Sequence, residues 1–235
     1  MPHDERALYD RLWAEARASF QAGAVEVDPH LDAREADTRR GLTLAARFDG
    51  ALRPELDALL ADLRALAPEQ HVYRPDELHI TILSVISAAP GFDPDRAPLD
   101  AYHALFSETF ASTAPLTLYW RGLTATPGAV LLCGYSPDRA LNALRDRLRE
   151  ALRRAGLDTD LELRYRTTAA HATLLRFRAL PRRLEALGAY VAARRDRDYG
   201  ASRIEQIEFV VNDWYMSHDR VRLLARYTLG GLAPE

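Results

Sequence analysis

The sequence predicts an α+β fold of two similar lobes related by a pseudo-two-fold repeat, with a groove between them. Three observations carry this. Strand-like and helix-like segments alternate from about residue 41 onward. Two glycine-led strands, beginning at Gly41 and Gly128 and so 87 residues apart, each run into a leucine-striped helix. A His-x-Thr triplet occurs once in each half, at His79-Ile80-Thr81 and His171-Ala172-Thr173, 92 residues apart. About five residues are therefore gained between helix and triplet in the second copy.

Residues 5–21 place Leu8, Leu12, Trp13, Ala16 and Phe20 on one stripe and read as an amphipathic helix. Residues 26–40 are polar, carry charges of both signs and read as a connecting loop. Residues 1–40 are thus expected to form an N-terminal extension, packed across the domain or over the groove mouth, and residues 41–235 a single bilobal domain. Residues 41–48 are a strand, with Asp49 as a helix N-cap. The helix behind it carries Leu52, Leu56, Leu59, Leu63 and Leu66 until Pro68 stops it. Residues 78–86, rich in β-branched side chains, read as a buried strand, and residues 100–110 as a helix. Thr126-Pro127-Gly128 marks the turn of a hairpin between strands 116–124 and 129–135. Residues 137–155 repeat the leucine stripe with Leu141, Leu144, Leu148 and Leu152. A strand over 168–177, a helix over 181–194 and strands over 203–211 and 220–229 complete the chain. The run Leu223–Tyr227 resembles Leu44–Phe48 and is expected to complete the sheet of one lobe.

Composition narrows the function. With 48% hydrophobic and 28% charged residues, the chain is an ordinary globular one. A net charge of −3 lacks the footprint of a protein that binds extended duplex nucleic acid. All 31 basic residues are arginine, a bias so general that it marks no site. No apolar run nears the roughly 20 residues that cross a bilayer, so no membrane partner is expected. The single cysteine, Cys133, excludes an internal disulfide and fits a cytoplasmic setting; its apolar neighbours make it a buried bystander.

The two triplets carry the chemistry. Residues i and i+2 of a strand share a face, so each histidine stands beside its threonine while aliphatic residues face the helices. Two imidazoles supply a base for an attacking water and an acid for a departing oxygen at neutral pH. Two hydroxyls donate to the non-bridging oxygens of a phosphate. No metal or cofactor is then required. One such triplet would be weak evidence; two at equivalent points of an internal repeat are not.

With a hydrophobic residue after each threonine (Ile82, Leu174), the chain resembles the 2H phosphoesterase superfamily, which includes the RNA 2′,3′-cyclic phosphodiesterases, also called 2′-5′ RNA ligases. The resemblance spans roughly residues 41–229. It implies an antiparallel sheet with helices in each lobe, both histidines in the central groove, and the roles reasoned above for His79, Thr81, His171 and Thr173. It implies as substrate a nucleotide or RNA-terminal phosphodiester. Many members carry an arginine where Arg176 stands, suited to clamping phosphate; strict alternation puts Arg176 on the face opposite His171, so this role requires a bulge after Leu174. The chain departs from the RNA-processing branch in two ways: the extension of about forty residues, and Thr168-Ala169-Ala170 where that branch usually has an aromatic residue followed by proline.

Tyr73-Arg74 and Tyr165-Arg166 precede the two triplets symmetrically. Tyr73, Tyr165 and Arg166 are candidate rim residues for stacking a base and meeting a phosphate; solvated strand ends are the plainer reading. Trp120 and Trp214 are expected in the core, and His3, His30, His71, His103 and His218 at the surface. The leading expectation is a phosphodiesterase leaving a phosphomonoester. The ligase-like reaction, a non-catalytic module that binds nucleotides or RNA ends, and acid–base catalysis on a sugar are the alternatives.

Overall fold

The computed structural model describes residues 3–48, 50–162 and 166–230. Asp49 and Tyr165 lie outside the described residues. In chain order the elements are α1 (His3–Gln21), β1 (Arg40–Ala46), α2 (Arg53–Leu66), β2 (His71–Val72), β3 (Ile80–Ala89), α3 (Leu99–Ala111), β4 (Leu116–Thr126), β5 (Ala129–Tyr135), α4 (Ala140–Arg154), β6 (Ala170–Arg176), α5 (Leu184–Ala192), β7 (Asp198–Ile204), β8 (Gln206–Asn212) and β9 (Arg222–Thr228). No helix among the described residues is long and apolar enough to cross a membrane.

The strands form two antiparallel sheets, ordered β3-β1-β8-β9 and β2-β6-β5-β4-β7. The Leu223–Tyr227 run sits in β9 and does extend the first sheet. The single strand expected over 203–211 is instead two. β7 pairs with β4 in the second sheet and β8 with β1 in the first, so the chain changes sheets at Glu205. The switch falls where Glu205 and Gln206, both exposed, shift the buried positions from Ser202 and Ile204 to Ile207 and Phe209.

The repeat is real but one residue out of step with the sequence match. Ala45 pairs with Thr81 and Leu131 with Thr173, an offset of 86 between the partner strands. An offset of 87 would equate core-facing Leu44 with cavity-lining Leu131, and a one-residue slip exchanges the faces of a strand. The helices also exchange lobes. α2 follows a strand of the first sheet and packs against β2 of the second, whereas α4 follows a strand of the second and packs against β3 of the first. Their leucines, with Ile80, Ile82, Ala172 and Leu174, enter one continuous core. Gly134 is required where β5 meets β6: a Cβ there would stand 2.6 Å from the Ala170 carbonyl and 2.7 Å from the Trp120 ring.

The N-terminal helix belongs to this body. Cys133 stands opposite His171 on the β5–β6 rung and so shares its face. Tyr9 of α1 packs on Cys133 and Tyr135, which places α1 on that face of the second sheet. Its most buried side chains are Tyr9 and Ala16, with Glu5 buried one turn earlier, a stripe rotated slightly from the one expected. Leu8 and Leu12 instead look into the groove.

Candidate active site

A cavity of about 560 Å³ lies between the sheets. His79, just ahead of β3, and Thr81 line it from one side, and His171 and Thr173 of β6 from the other. Both triplets therefore meet in one space. Among the described residues, no group of three or more histidine, cysteine, aspartate or glutamate side chains is arranged to hold a metal ion.

Each motif strand is bulged just after its threonine. In β6 the register slips between Val130 and Leu131, so Leu174 is the extra residue and Arg176 returns to the face of His171 and Thr173. In β3 the matching slip falls between Leu44 and Ala45, with Ile82 extra and Ser84 returned to the cavity. Ser84 is thus the counterpart of Arg176, 92 residues earlier. A second slip in β3 brings Ser87 to the same face.

The bulges are held by groups from outside their own strands. Arg145 of α4, fully buried, donates from Nε to the Ile82 carbonyl at 2.9 Å and from Nη2 to those of Thr81 at 2.7 Å and Ala169 at 3.2 Å. One guanidinium therefore ties the first triplet to the segment entering the second. On the other side the Tyr73 amide donates to the Leu174 carbonyl, and the Glu162 amide to that of Ser84. The segment ahead of each triplet thus crosses to the other triplet's strand.

Burial shifts both histidines. Desolvation lowers the His79 pKa to about 4, opposed by its bond to the Glu77 carbonyl and reinforced by nearby Arg47, His171 and Arg176. Desolvation, then Arg145 and Arg176, lowers His171 to about 4. Both imidazoles are therefore neutral at pH 7. His79 Nδ1 is 2.9 Å from the Glu77 carbonyl oxygen. A carbonyl only accepts, so Nδ1 carries the proton and Nε2 keeps its lone pair.

The remaining candidates divide. Arg176 lines the cavity, and its Nε donates to the Tyr73 hydroxyl at 2.9 Å. Tyr73 is not a rim residue: it is 1% exposed, and its ring is unavailable to stack a base. Its tip meets Arg176, and that contact makes burying a phenol tolerable. Arg166 lines the cavity mouth but is exposed and paired with Asp146 at 2.6 Å. Trp120 is core as expected, whereas Trp214 lines the cavity beside Arg39 and Arg176. His71 is not a surface residue. It is half-buried among Tyr73, Tyr215 and Arg34, and desolvation lowers its pKa to about 4. Thr43, Ser84, Ser87 and Asn212, which line the first sheet's side, were missed by sequence reasoning. Isolated small polar residues carry no signal until bulges and neighbouring strands bring them together.

A model of the 2′-5′ RNA ligase superfamily matches residues 51–216, a span containing both triplets, both bulges and Arg145. The chain belongs to that superfamily. Solved structures of the same fold include TT0787 of Thermus thermophilus, with 17% identity over 81% of this chain and 98% of that one and a TM-score of 0.61. LigT of E. coli in its apo form has 18% identity over 82% and 98% of the two chains and a TM-score of 0.53. The same protein complexed with 3′-AMP also gives 18% identity and a TM-score of 0.53, over 81% and 98%. Comparison with curated protein sequences returns no match. Membership supports a phosphodiesterase or ligase-like role for the superfamily's fold here.

Proposed function

We propose that the protein is a metal-independent phosphodiesterase that opens a 2′,3′-cyclic or similar small phosphodiester to a phosphomonoester. The observation that carries this is the convergence of two His–Thr pairs and Arg176 on one cavity. His79 Nε2, holding its lone pair, takes a proton from water as the new P–O bond forms. His171 gives a proton to the ribose oxygen as the old P–O bond breaks. The hydroxyls of Thr81 and Thr173 and the Arg176 guanidinium donate to the non-bridging oxygens, where charge accumulates. His171 becomes the imidazolium when the anionic phosphate offsets the Arg145 and Arg176 charges. The E. coli relative complexed with 3′-AMP holds a nucleoside monophosphate, the class of product this reaction leaves.

The test is hydrolysis of nucleoside 2′,3′-cyclic phosphates in excess EDTA. Turnover with chelator, lost in His79→Ala and in His171→Ala, is the expected result. Complete loss with chelator removes the metal-independent mechanism. Nucleotide binding without turnover on any cyclic phosphate leaves a binding module, and formation of a 2′-5′ linkage from the same substrates favours the ligase direction.

A further inference from the structure

We propose that α1 is a built-in wall that limits the cavity to a phosphodiester carried on a single nucleotide-sized unit and shuts out the end of a polynucleotide. This rests on the phosphodiesterase reading and narrows its substrate class.

The helix occupies the same face of the second sheet as His171, lying along β4 and reaching the start of β6 through Tyr9, with Leu8 and Leu12 directed into the cavity. The equivalent face of the first sheet presents the short side chains of Thr43, Ser84 and Ser87 to that space, with Asn212, Trp214 and Met216 lining it from the end of β8 onward. Among the described residues no helix is part of the first sheet's lining, whereas on the second sheet's side Leu8 and Leu12 of α1 stand as an apolar wall. What remains is about 560 Å³, within the roughly 300–1,000 Å³ of pockets that enclose one small ligand.

The wall is fastened along its length. The Tyr9 hydroxyl lies within hydrogen-bond reach of the Gly134 and Ala170 carbonyls, and Thr124 Oγ1 donates to the Tyr9 carbonyl at 3.0 Å. Near the N-terminus the Ser136 amide donates to the Glu5 carboxylate at 3.2 Å. Arg6 pairs with Asp196, Arg195 with Asp10, and Phe20 meets Phe177 edge-on beyond the end of β6. A segment held by buried main-chain partners at one turn and ion pairs at others is part of the fold.

Charge at the approaches to the site points the same way. Binding a strand needs a cationic track for its successive phosphates. The arginines flanking the two motifs are instead matched by carboxylates: Arg74 with Asp76, Arg166 with Asp146, and Arg178 with Asp32. Arg176 points into the cavity, where it serves one phosphate.

The experiment compares a nucleoside 2′,3′-cyclic phosphate with a hexaribonucleotide ending in a 2′,3′-cyclic phosphate, by kcat/KM. The corresponding 3′-phosphates, monomeric and hexameric, are compared by calorimetric binding. The wall predicts at least a hundredfold preference for the monomer in both measurements. In folded Leu8→Ala/Leu12→Ala protein the preference is expected to shrink at least tenfold. Hexamer handled within threefold of the monomer by wild type overturns the wall, as does an unchanged preference in the folded double variant. If the monomer binds and the hexamer does not, with neither cyclic phosphate opened, the wall stands and the phosphodiesterase reading falls. Failure of both 3′-phosphates to bind overturns the wall as a selector of nucleotides.

Discussion

Replacing Arg145 by methionine separates the strut between the two motifs from the motifs themselves. The substitution keeps most of the side chain's length and removes the guanidinium. Three main-chain carbonyls, of Thr81, Ile82 and Ala169, then lose a donor inside the protein. Leaving a buried acceptor unpaired costs about 1–3 kcal/mol. Part of this is returned, because among the described residues no carboxylate pairs with this buried arginine and removing such a charge relieves desolvation. A net loss of about 2–4 kcal/mol follows, which for a protein of this size lowers Tm by about 5–15 °C. Calorimetry measures it. A second readout separates positioning from general destabilisation. Arg145 is among the charges that hold His171 neutral, so its removal raises the His171 pKa, readable by NMR titration of the imidazole. Arg145→Lys keeps the charge with fewer directed donors and is expected to destabilise while moving His171 less. A Tm within about 2 °C of wild type, together with an unmoved His171 titration, would refute the strut.

In the pH dependence of hydrolysis, kcat/KM follows the free site, whose two histidines titrate near pH 4. A bound phosphodiester anion raises both pKa values, so the kcat profile is expected on the alkaline side; coincident profiles, or the reverse order, contradict this. Assigning His171 as the acid predicts that His171→Ala loses far less activity on a nitrophenyl phosphodiester, whose leaving group needs no proton, than on a ribose cyclic phosphate. His79→Ala should lose similarly on both, and the opposite pattern exchanges the roles. Tyr73→Phe removes the partner of Arg176 Nε and is expected to raise KM about fivefold, roughly 1 kcal/mol, with a smaller change in kcat. An unchanged KM would show that Arg176 needs no such support.

Much of this arrangement is legible in the residues alone. The aliphatic positions alternating with His171 and Thr173 place both on one face, and the leucine stripes mark α2 and α4. Alternation is also where the reading stops. Arg176 and Ser84 reach the cavity only because Leu174 and Ile82 are looped out, and a bulge leaves no mark in the order of side chains. Arg145 follows Leu144 on a helix full of arginines, and nothing local distinguishes it from Arg147, which lies outside the core. The stripe on α1 shows that the helix buries a face but not what it buries against. Tyr73 stands beside Arg74 in the sequence, yet its partner in space is Arg176, 103 residues away.

The central claim is that the two triplets act as one unit on one phosphorus, and a double-mutant comparison tests it most directly. kcat/KM for a nucleoside 2′,3′-cyclic phosphate is measured for wild type, His79→Ala, His171→Ala and the double variant. Each single variant is expected to lose about 10²–10⁴-fold, and the double variant little more than the worse single, because the second imidazole has no partner once the first is gone. Losses that multiply, or a single variant that keeps wild-type turnover, would contradict the account.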